Sequence, residues 1–407
     1  MNTSHANGWS KILNPTLHFQ SGDFRKLPLS PEFVSSKTEN LALQAIEKTK
    51  NDWDSFETSW DFKRSPLVGY QLAITDIMSS YLSARKEWET STLSVKSIEI
   101  ENATNFVEVY GLSQEDFSEI SIEEITLDCN PKYRYGGSST DEELEARLQS
   151  DTLTELISYV IGCIMGRYSL DQEGLVYARA SNQGFAELVA EGTYKTFPAD
   201  SDGILPLTDQ EWFADDASNR FREFVRTVWG EEYLQENLDF VAESLCLYAI
   251  KPKRGESALD TIRRYLSTQF FKDHLKAYKK RPIYWLFSSG KHKAFECLVY
   301  LHRYNEGTLA RMRTEYVIPL TAKLNTYANK LATDIENETV TSEKKRLEKE
   351  LATLHNQQAE LATFDEKLRH HADQRISLDL DEGVKVNYSK FGDLLAEVKA
   401  VTGDKGA

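Results

Sequence analysis

The sequence contains few cysteines, no Gly-rich phosphate-binding turn and no apolar run long enough to span a bilayer. Its four cysteines, Cys129, Cys163, Cys246 and Cys297, lie far apart without a Cys-x-x-Cys pair. This excludes a zinc framework and is typical of reduced thiols in a cytoplasm. The most apolar helical run, residues 156–165, is about half a membrane span, and the first residues lack the pattern of a secretion signal. These absences predict a soluble cytoplasmic protein without a membrane partner.

The composition is otherwise that of an ordinary globular protein. Hydrophobic residues make up 40% and charged residues 28% of the 407 positions. The 19 Tyr, 19 Phe and 7 Trp argue for packed structure and against extended disorder. A chain of this length can form two or three domains with substantial cores.

Charge is distributed unevenly along the chain, whose formal net charge is −16 at pH 7. Residues 97–131 contain nine acidic residues and no lysine or arginine. Residues 251–313 contain fifteen lysines and arginines against five acidic residues, which is a local excess of ten positive charges. This asymmetry predicts a basic surface on an otherwise acidic molecule, a feature that the net charge alone would hide.

Apolar spacing predicts a predominantly helical α+β chain in which two long antiparallel helical hairpins flank a mixed α/β module. The first helix of the first hairpin has one apolar face with Leu43, Ile46, Trp53, Phe56 and Trp60. In its second helix, apolar residues recur in steps of three and four from residue 67 to residue 88. The seams of the second hairpin are Leu320, Leu324, Tyr327 and Leu331 on one helix and Leu347, Leu351, Leu354, Leu361, Phe364 and Leu368 on the other.

The segments between and around the hairpins are more varied. Helices are predicted over residues 140–165, 216–228, 231–248 and 257–277, with Thr140 as an N-cap. The stretches "RPIYWLFSS" and "AFECLVYLH" predict a strand pair on either side of "GKHK". Residues 8–35 suggest short strands and turns. Five divisions of the chain are predicted. Residues 1–35 form the C-terminal edge of a larger domain, and residues 36–97 form a helical hairpin spacer. Residues 98–305 form a mixed α/β DNA-recognition module that begins with a loop-rich bridge over 98–140, and they are followed by a coiled-coil hairpin over 306–378 and a C-terminal segment over 379–407.

The stretch "DCNPKYRYGG" at residues 128–137 contains an Asn-Pro-Lys-Tyr sequence, which differs by one residue from the Asn-Pro-Pro-Tyr loop of amino-methyltransferases. In that loop, the Asn side chain and a Pro carbonyl bind the exocyclic amine of an extruded adenine, and the aromatic ring stacks on the base. The methyl donor also needs a Gly-rich turn between a strand and a helix. No such pattern precedes Asn130, and Gly162 and Gly166 fall in an apolar helix where small residues permit close packing. We therefore predict a loop without a catalytic role.

Other chemical motifs are weak. His370 and His371 are adjacent on a predicted helix and point in different directions, which indicates a solvated face rather than a metal-binding pair. Asp200 and Asp202 resemble part of a calcium loop, but Pro198 occupies the position of the first ligand. We predict no catalytic residue, no metal site and no cofactor-binding residue in this chain.

The basic segment 251–313 is the strongest candidate for a functional site. Ten Tyr, Phe and Trp residues are interleaved with its cations. Nucleic-acid surfaces use such cations to neutralise phosphates and such rings to stack on bases. An ordinary α/β core with a basic face would explain most of the same aromatic residues. If the cations form one outward surface, the candidate DNA-binding residues are Lys253, Arg254, Arg263, Arg264, Lys276, Lys279, Lys280, Arg281, Lys291, Lys293, Arg303, Arg311 and Arg313.

Seven stretches, which together span nearly the whole chain, carry a family resemblance. They are "LNPTLHFQSGDFRKLPL", "SWDFKRSPL", "NPKYRYG", "GCIMGRYSLDQEGL", "DGILPLTDQEWF", "YKKRPIYWLFSSGKHKAFECLVYLHRY" and "LDLDEGVKVNYSKFGDLL". In this order they resemble the C-terminal part of the PglX family, the adenine-specific DNA methyltransferases of the BREX phage-exclusion systems. The resemblance implies large enzymes that transfer a methyl group from S-adenosylmethionine to adenine in a short asymmetric site, which marks host DNA.

The N-terminal half of that family, with its donor-binding turn and Asn-Pro-Pro-Tyr loop, has no counterpart in this sequence. No catalytic residue is therefore carried over, and no cofactor is expected in this chain, although S-adenosylmethionine is implied for the full-length family. We expect a DNA-recognition and spacer fragment whose partners are double-stranded DNA, the N-terminal methyltransferase half and other BREX proteins. The alternatives are a protein-interaction scaffold that docks BREX components without touching DNA, and a complete enzyme with an unrecognised donor site.

Overall fold

The computed structural model describes residues 4–14, 21–28, 30–33, 35–69, 76–112 and 120–403. The chain divides into two compact units, one within Met1–Phe62 and Met78–Gln149 and the other within Lys63–Ile77 and Ser150–Ala407. The described residues are predominantly helical with one small antiparallel sheet, which confirms the predicted α+β class. Among the described helices, none combines the length and the apolar content that crossing a membrane requires.

The first unit is built from helices whose ends carry clear capping signals. Ser35 accepts a hydrogen bond from the backbone N–H of Thr38, and Thr140 and Glu143 cap each other's backbone N–H in a capping box. The predicted N-cap at Thr140 is therefore confirmed. The helices are α1 (Ser4–Leu13), α2 (Ser21–Phe24), α3 (Ser36–Trp53), α4 (Ile77–Val109), α5 (Pro131–Tyr135) and the first part of α6 (Asp141–Ile164), with 3₁₀ turns at Pro31–Phe33 and Ile122–Glu124.

The helices of this unit differ in extent from the expectation. Helix α1 occupies a stretch where short strands and turns were predicted. Helix α4 starts ten residues later than the apolar spacing suggested and continues to Val109, into the segment predicted to be a loop-rich bridge. The predicted helical residues Tyr70 and Ile74 lie outside the described residues. The extension of α4 is stabilised by tertiary packing, because Val95 and Ala103 belong to one apolar cluster with Ile120, Ile125, Leu127 and Cys129.

The apolar face of α3 and the turn that follows it is exposed. Leu43, Ile46, Trp53 and Trp60 are exposed by 59%, 61%, 56% and 99%, whereas Leu41 is buried. The prediction that this face forms the seam of a hairpin is wrong for these four residues. Periodicity shows that a helix has an apolar side, but it does not show what covers that side.

The second unit combines helices with the sheet. Its N-caps include Asp216, which accepts from the backbone N–H of Asn219, and Ser257, which accepts from that of Asp260. The helices after α6 are α7 (Phe185–Ala190), α8 (Ala217–Trp229), α9 (Leu234–Tyr248), α10 (Ala258–Tyr265), α11 (Phe271–Ala277), α12 (Thr308–Arg311), α13 (Ile318–Asn337), α14 (Thr341–Asp373), α15 (Gly383–Ser389) and α16 (Val398–Thr402), with π-helical turns at Leu266–Phe270 and Met312–Val317 and 3₁₀ turns at Ala180–Asn182, Leu380–Glu382 and Gly392–Leu394.

The sheet has three antiparallel strands, β1 (Ile204–Pro206), β2 (Tyr284–Ser288) and β3 (Glu296–Tyr300), in the order β1-β3-β2. Strands β2 and β3 pair from Tyr284 opposite Tyr300 to Ser288 opposite Glu296. The predicted strand pair is therefore confirmed. Strand β1 was not predicted because it is only three residues long.

Helices α13 and α14 form the predicted second hairpin of antiparallel helices. Their buried residues follow the predicted spacing of three and four, so burial of one stripe on each helix accounts for the hairpin. These residues are Leu320, Leu324 and Leu331 on α13 and Leu347, Leu354, Leu361, Phe364 and Leu368 on α14.

Candidate nucleic-acid interface

Arg263 is one of the thirteen candidate cations, and it is buried. Its Nη1 donates to Oδ2 of Asp216 at 2.6 Å, and to the backbone carbonyls of Thr208 and Gln210 at 3.3 Å each. The exposed fractions of the Arg263 and Asp216 side chains are 8% and 1%. The guanidinium thus joins α10 to the N-terminus of α8 and presents no surface to a phosphate.

Arg303 is also buried, at the end of the turn that follows β3. Its Nε donates to Oδ1 of Asn182, and its two terminal nitrogens donate to the carbonyls of Asp200 and Ser201 at 2.8 and 2.9 Å. The guanidinium carbon lies 3.6 Å from the centroid of the Phe185 ring. Each of its three guanidinium nitrogens therefore donates to a partner inside the fold.

Five further candidate cations form ion pairs. Arg264 and Lys253 share Glu256, and the hydrogen bond from Arg264 lowers the pKa of that carboxyl. These pairs reduce the local positive charge, so the five residues contribute less to a nucleic-acid surface than their number suggests. The pairs are Lys253–Glu256, Arg264–Glu256, Lys293–Glu296, Arg311–Glu315 and Arg313–Asp365, with N–O distances of 3.9, 2.6, 2.9, 3.6 and 2.7 Å.

The remaining six candidates are exposed, and the described part of the chain contains no ion-pair partner for them. Lys276 differs from the other five because it lies near a carboxyl group, that of Asp273. Burial raises the pKa of Asp273, and the positive charge of Lys276 opposes that rise. These six residues are Arg254, Lys276, Lys279, Lys280, Arg281 and Lys291.

The exposed candidates are distributed over several elements of the second unit. Arg254 precedes the helical run from Ala258 to Ala277, and the run of 20 residues separates its two ends by about 30 Å. Arg281 precedes β2 and Lys291 follows it, so the strand separates them by about 17 Å. The densest group is the tripeptide Lys279–Lys280–Arg281 between α11 and β2, which we call the basic turn.

The backbone of the basic turn is unusual for lysine. The N–H of Lys279 donates to the carbonyl of Lys276, and the N–H of Lys280 donates to that of Leu275, which together form a Schellman motif at the end of α11. The position after the C-cap normally carries glycine because its φ is positive. Here Lys279 and Lys280 adopt φ of 50° and 62°, a conformation that costs a side-chain-bearing residue about 1 kcal/mol or more.

Replacing Lys279 with glycine is expected to raise the free energy of unfolding by about 0.5–1 kcal/mol, because glycine adopts positive φ without strain. Urea denaturation followed by circular dichroism measures the change. Lys276→Gly, the same substitution inside α11, is the matched control and should lower stability by up to about 1 kcal/mol. A loss of stability in Lys279→Gly would show that the lysine side chain stabilises the turn.

The Asn-Pro-Lys-Tyr sequence begins α5 and has a structural role. Asn130 is buried, its side-chain nitrogen donates to the carbonyls of Ile122 and Ile125, and its side-chain oxygen accepts the N–H of Lys132. Pro131 occupies the first turn of the helix, where its missing N–H costs nothing. The Asn130 side chain, which a methyltransferase loop would present to adenine, is thus engaged with the backbone.

Asp200 and Asp202 likewise have partners in the fold. The Asp200 carboxylate accepts hydrogen bonds from the backbone N–H groups of Asp202 and Gly203. The Asp202 carboxylate accepts hydrogen bonds from the N–H of Ile204 and from the Tyr316 hydroxyl. Burial, together with the neighbouring Asp202 carboxylate, raises the pKa of Asp200 to about 7. Within the described residues, no three His, Cys, Asp or Glu side chains are arranged to hold a metal ion.

Two adenine-specific methyltransferases are similar to this chain along nearly its whole length. No protein-family model matches the chain. The adenine-specific methyltransferase BrxX of Escherichia coli O9:H4 (strain HS) is 55% identical over 405 residues, which cover 99% of this chain and 33% of the relative. The adenine-specific methyltransferase PglX of Lacticaseibacillus casei (strain Zhang) is 36% identical over 396 residues, which cover 96% of this chain and 30% of the relative.

The chain therefore spans about one third of the length of either relative. Both similarities extend over nearly the whole of this chain, which confirms the family resemblance that the seven sequence stretches indicated. The chain is a homologue of the adenine-specific methyltransferases BrxX and PglX along a stretch of about one third of their length.

Proposed function

We propose that the chain is a DNA-recognition and spacer part of an adenine-specific DNA methyltransferase, and that the basic turn Lys279–Lys280–Arg281 contacts the DNA backbone. Three adjacent exposed cations without a carboxylate partner among the described residues carry this proposal. Each phosphate that they neutralise would release condensed counterions, which favours binding at low salt. Both relatives are named adenine-specific methyltransferases, and these names supply adenine as the class of substrate.

The strained backbone of the turn supports the same proposal. A turn that served only to end α11 would be more stable with glycine at position 279, so the lysine has a use other than stability. The buried and ion-paired cations, Arg263 and Arg303 in particular, are not part of the proposed contact. Lys276, Lys291 and Arg254 remain candidates for contacts elsewhere on the same duplex.

We also propose that methyl transfer and S-adenosylmethionine binding are not functions of this chain. The donor sites of such enzymes lie at the carboxyl ends of parallel strands, next to a Gly-rich turn. The sheet among the described residues has three antiparallel strands, which supports the proposal. The α13–α14 hairpin would serve as a spacer that holds the recognition elements at a fixed separation.

The test is DNA affinity across a salt series, measured by fluorescence anisotropy with a labelled duplex of about 30 base pairs. Reversing charge at Lys279, Lys280 and Arg281 to glutamate is expected to weaken binding at least tenfold at low salt. It should also reduce the slope of log K against log salt by about three, since each phosphate contact contributes about one.

A matched control reverses three exposed lysines on the α13–α14 hairpin, Lys330, Lys345 and Lys349, none of which has an ion-pair partner among the described residues. The two triple variants carry the same net charge, so a general electrostatic effect would weaken both equally. Equal affinities of the two triple variants would contradict the proposal, as would affinity that does not depend on salt.

A second candidate function is protein docking, and the exposed apolar face of α3 favours it. Leu43, Ile46 and Trp53 are exposed on α3, and Trp60 is exposed in the turn after it. Grouped exposed apolar side chains commonly mark an interaction site. In this version, the partners are other BREX proteins or the rest of the methyltransferase, and DNA is not bound. A filter-binding assay at low salt decides between the two, because a docking module would retain no duplex on the filter.

A further inference from the structure

Arg167 has a charged side chain that is largely enclosed by aromatic residues. Its Nε donates to the Tyr168 hydroxyl at 3.0 Å, and its Nη1 lies 3.4 Å from the Tyr300 hydroxyl. No Asp or Glu of the described residues pairs with it. A partly buried charge without a counter-charge is costly, so its retention calls for a binding partner.

The backbone holds Arg167 firmly in place. Its N–H donates to the carbonyl of Gly162 at 2.8 Å, and the N–H of Gly166 donates to that of Cys163, so a Schellman motif ends α6 immediately before the arginine. The carbonyl of Arg167 in turn accepts the N–H of Val176 at 2.9 Å. The guanidinium therefore starts from a fixed point rather than from a flexible loop.

A continuous series of ring contacts leads from Arg167 to the basic turn. The Tyr284 ring lies 5.5 Å from that of Tyr300 and 4.9 Å from that of His274, which in turn lies 4.6 Å from the ring of Tyr278. Tyr278 is the residue before Lys279. The hydroxyl of Tyr278 is also within electrostatic range of the Arg167 guanidinium. One aromatic cluster thus links the Arg167 side chain to the residue that precedes the basic turn.

The cluster reaches solvent at one side. Arg167, Tyr278 and His302 are partly exposed, whereas Tyr284 and Tyr300 are fully buried. The His302 ring contacts that of Tyr300 at 5.1 Å between centroids. Arg167 and His302 therefore both lie at the partly exposed edge of the cluster, which we call the rim.

Two imidazole nitrogens in the cluster also lack a partner. His274 is buried, and its Nε2 accepts the N–H groups of Ile283 and Tyr284, so its proton resides on Nδ1. Nδ1 of His274 and Nδ1 of His302 are both buried without a hydrogen-bond partner. Burial and the positive charge of Arg167 lower the pKa of His302 to about 4. Arg167 therefore keeps its positive charge beside a neutral His302 imidazole, and an oxyanion that accepts hydrogen bonds from the guanidinium suits this edge of the cluster.

We propose that Arg167, with His302 beside it at the rim, binds a phosphate-type oxyanion, namely a backbone phosphate of the duplex whose neighbouring phosphates contact the basic turn. The inference rests on the proposed function because it extends the same surface by one contact. A planar guanidinium can hold two phosphate oxygens at once, and Tyr168 and Tyr300 fix its orientation. The same chemistry would also accept a free phosphate, and the experiment separates the two sources.

The test compares Arg167→Gln with Arg264→Gln in the intact chain. Arg264 is a matched control because it is also partly exposed but is already bound to Glu256. With the labelled duplex, Arg167→Gln is expected to weaken binding about tenfold and to reduce the salt slope by about one, whereas Arg264→Gln should leave both unchanged. Wild-type affinity in Arg167→Gln, with binding still lost in the basic-turn variant, would overturn this inference and leave the proposed function intact.

Two further measurements cover the other outcomes. If the Arg167 site binds a free oxyanion, inorganic phosphate at millimolar concentration should raise the melting temperature of the wild type more than that of Arg167→Gln. Together with unchanged duplex affinity, that result would overturn the DNA assignment. If Arg167→Gln does not fold, His302→Phe serves instead, since it keeps a ring against Tyr300 and removes both nitrogens. It should weaken duplex binding two- to threefold, and unchanged binding would count against the rim contact.

Discussion

Replacing Arg263 with methionine is expected to lower the free energy of unfolding by about 3–5 kcal/mol, because the substitution leaves the Asp216 carboxylate buried without its counter-charge. Arg263 and Asp216 are 7% and 0% exposed as whole residues, and their 2.6 Å contact links α10 to α8. Asp216 also caps α8 through the N–H of Asn219, so a disturbed carboxylate would weaken the start of that helix as well.

The loss should grow with pH. Burial raises the pKa of Asp216, and Arg263 opposes that rise through its hydrogen bond. Without Arg263 the folded-state pKa rises further, so the folded protein holds a proton that the unfolded chain releases above about pH 4. Stability of the variant therefore falls as pH rises through this window, and its deficit against the wild type should be larger at pH 8 than at pH 5.

Urea denaturation of both proteins at the two pH values measures this effect. Arg313→Met is the matched control, because the ion pair of Arg313 with Asp365 is partly exposed and should contribute no more than about 1 kcal/mol. Asp216→Asn combined with Arg263→Met should recover part of the loss, since asparagine also caps a helix but carries no charge. Equal losses in Arg263→Met and Arg313→Met would show that Arg263 has no special structural role.

The different roles of the basic residues could not be predicted from the sequence. Arg263 and Arg281 look alike there, since each stands beside another cation in the same basic segment. The carboxylate that engages Arg263 lies 47 residues earlier in the chain, and nothing in the local pattern indicates that distant pairing. Composition predicted how many positive charges the segment holds, but tertiary contacts decide which of them face solvent.

Elements with a strong local pattern were predictable. Strands β2 and β3 and the α13–α14 hairpin agree with the expectation, because apolar spacing reflects burial directly in long regular elements. The face of α3 shows the limit of that argument. Its spacing is equally regular, yet Leu43, Ile46 and Trp53 are exposed, because the pattern does not show whether another element covers that face.

Arg167 was missed for a related reason. It lies outside the basic segment, directly after Gly166, and a single arginine at the end of an apolar helix gives no signal above background. Its environment is assembled from Tyr300 and His274, which are more than 100 residues away. Gly166 was a better signal than Arg167. The sequence placed Gly166 inside a helix, whereas in the structure Gly166 follows the end of α6 as part of a Schellman motif.

Replacing Gly166 with alanine is expected to cost about 3 kcal/mol of unfolding free energy. The residue has φ of +77°, which strains an alanine by about 1 kcal/mol. Its added Cβ would lie 2.6 and 2.8 Å from two carbons of the Phe185 ring, a clash that adds about 1–3 kcal/mol. The ring cannot easily move away, because it packs against Tyr177 and Tyr194 and beneath the Arg303 guanidinium.

Gly192 offers a control that isolates the clash from the backbone strain. It occupies the same position of a Schellman motif, with its N–H bonded to the carbonyl of Val189, and its φ is +82°. No atom lies within 4 Å of the Cβ that an alanine would add there. Gly192→Ala should therefore cost only the strain of about 1 kcal/mol. If both variants lost the same stability in urea denaturation, the contact between Gly166 and the Phe185 ring would not be tight.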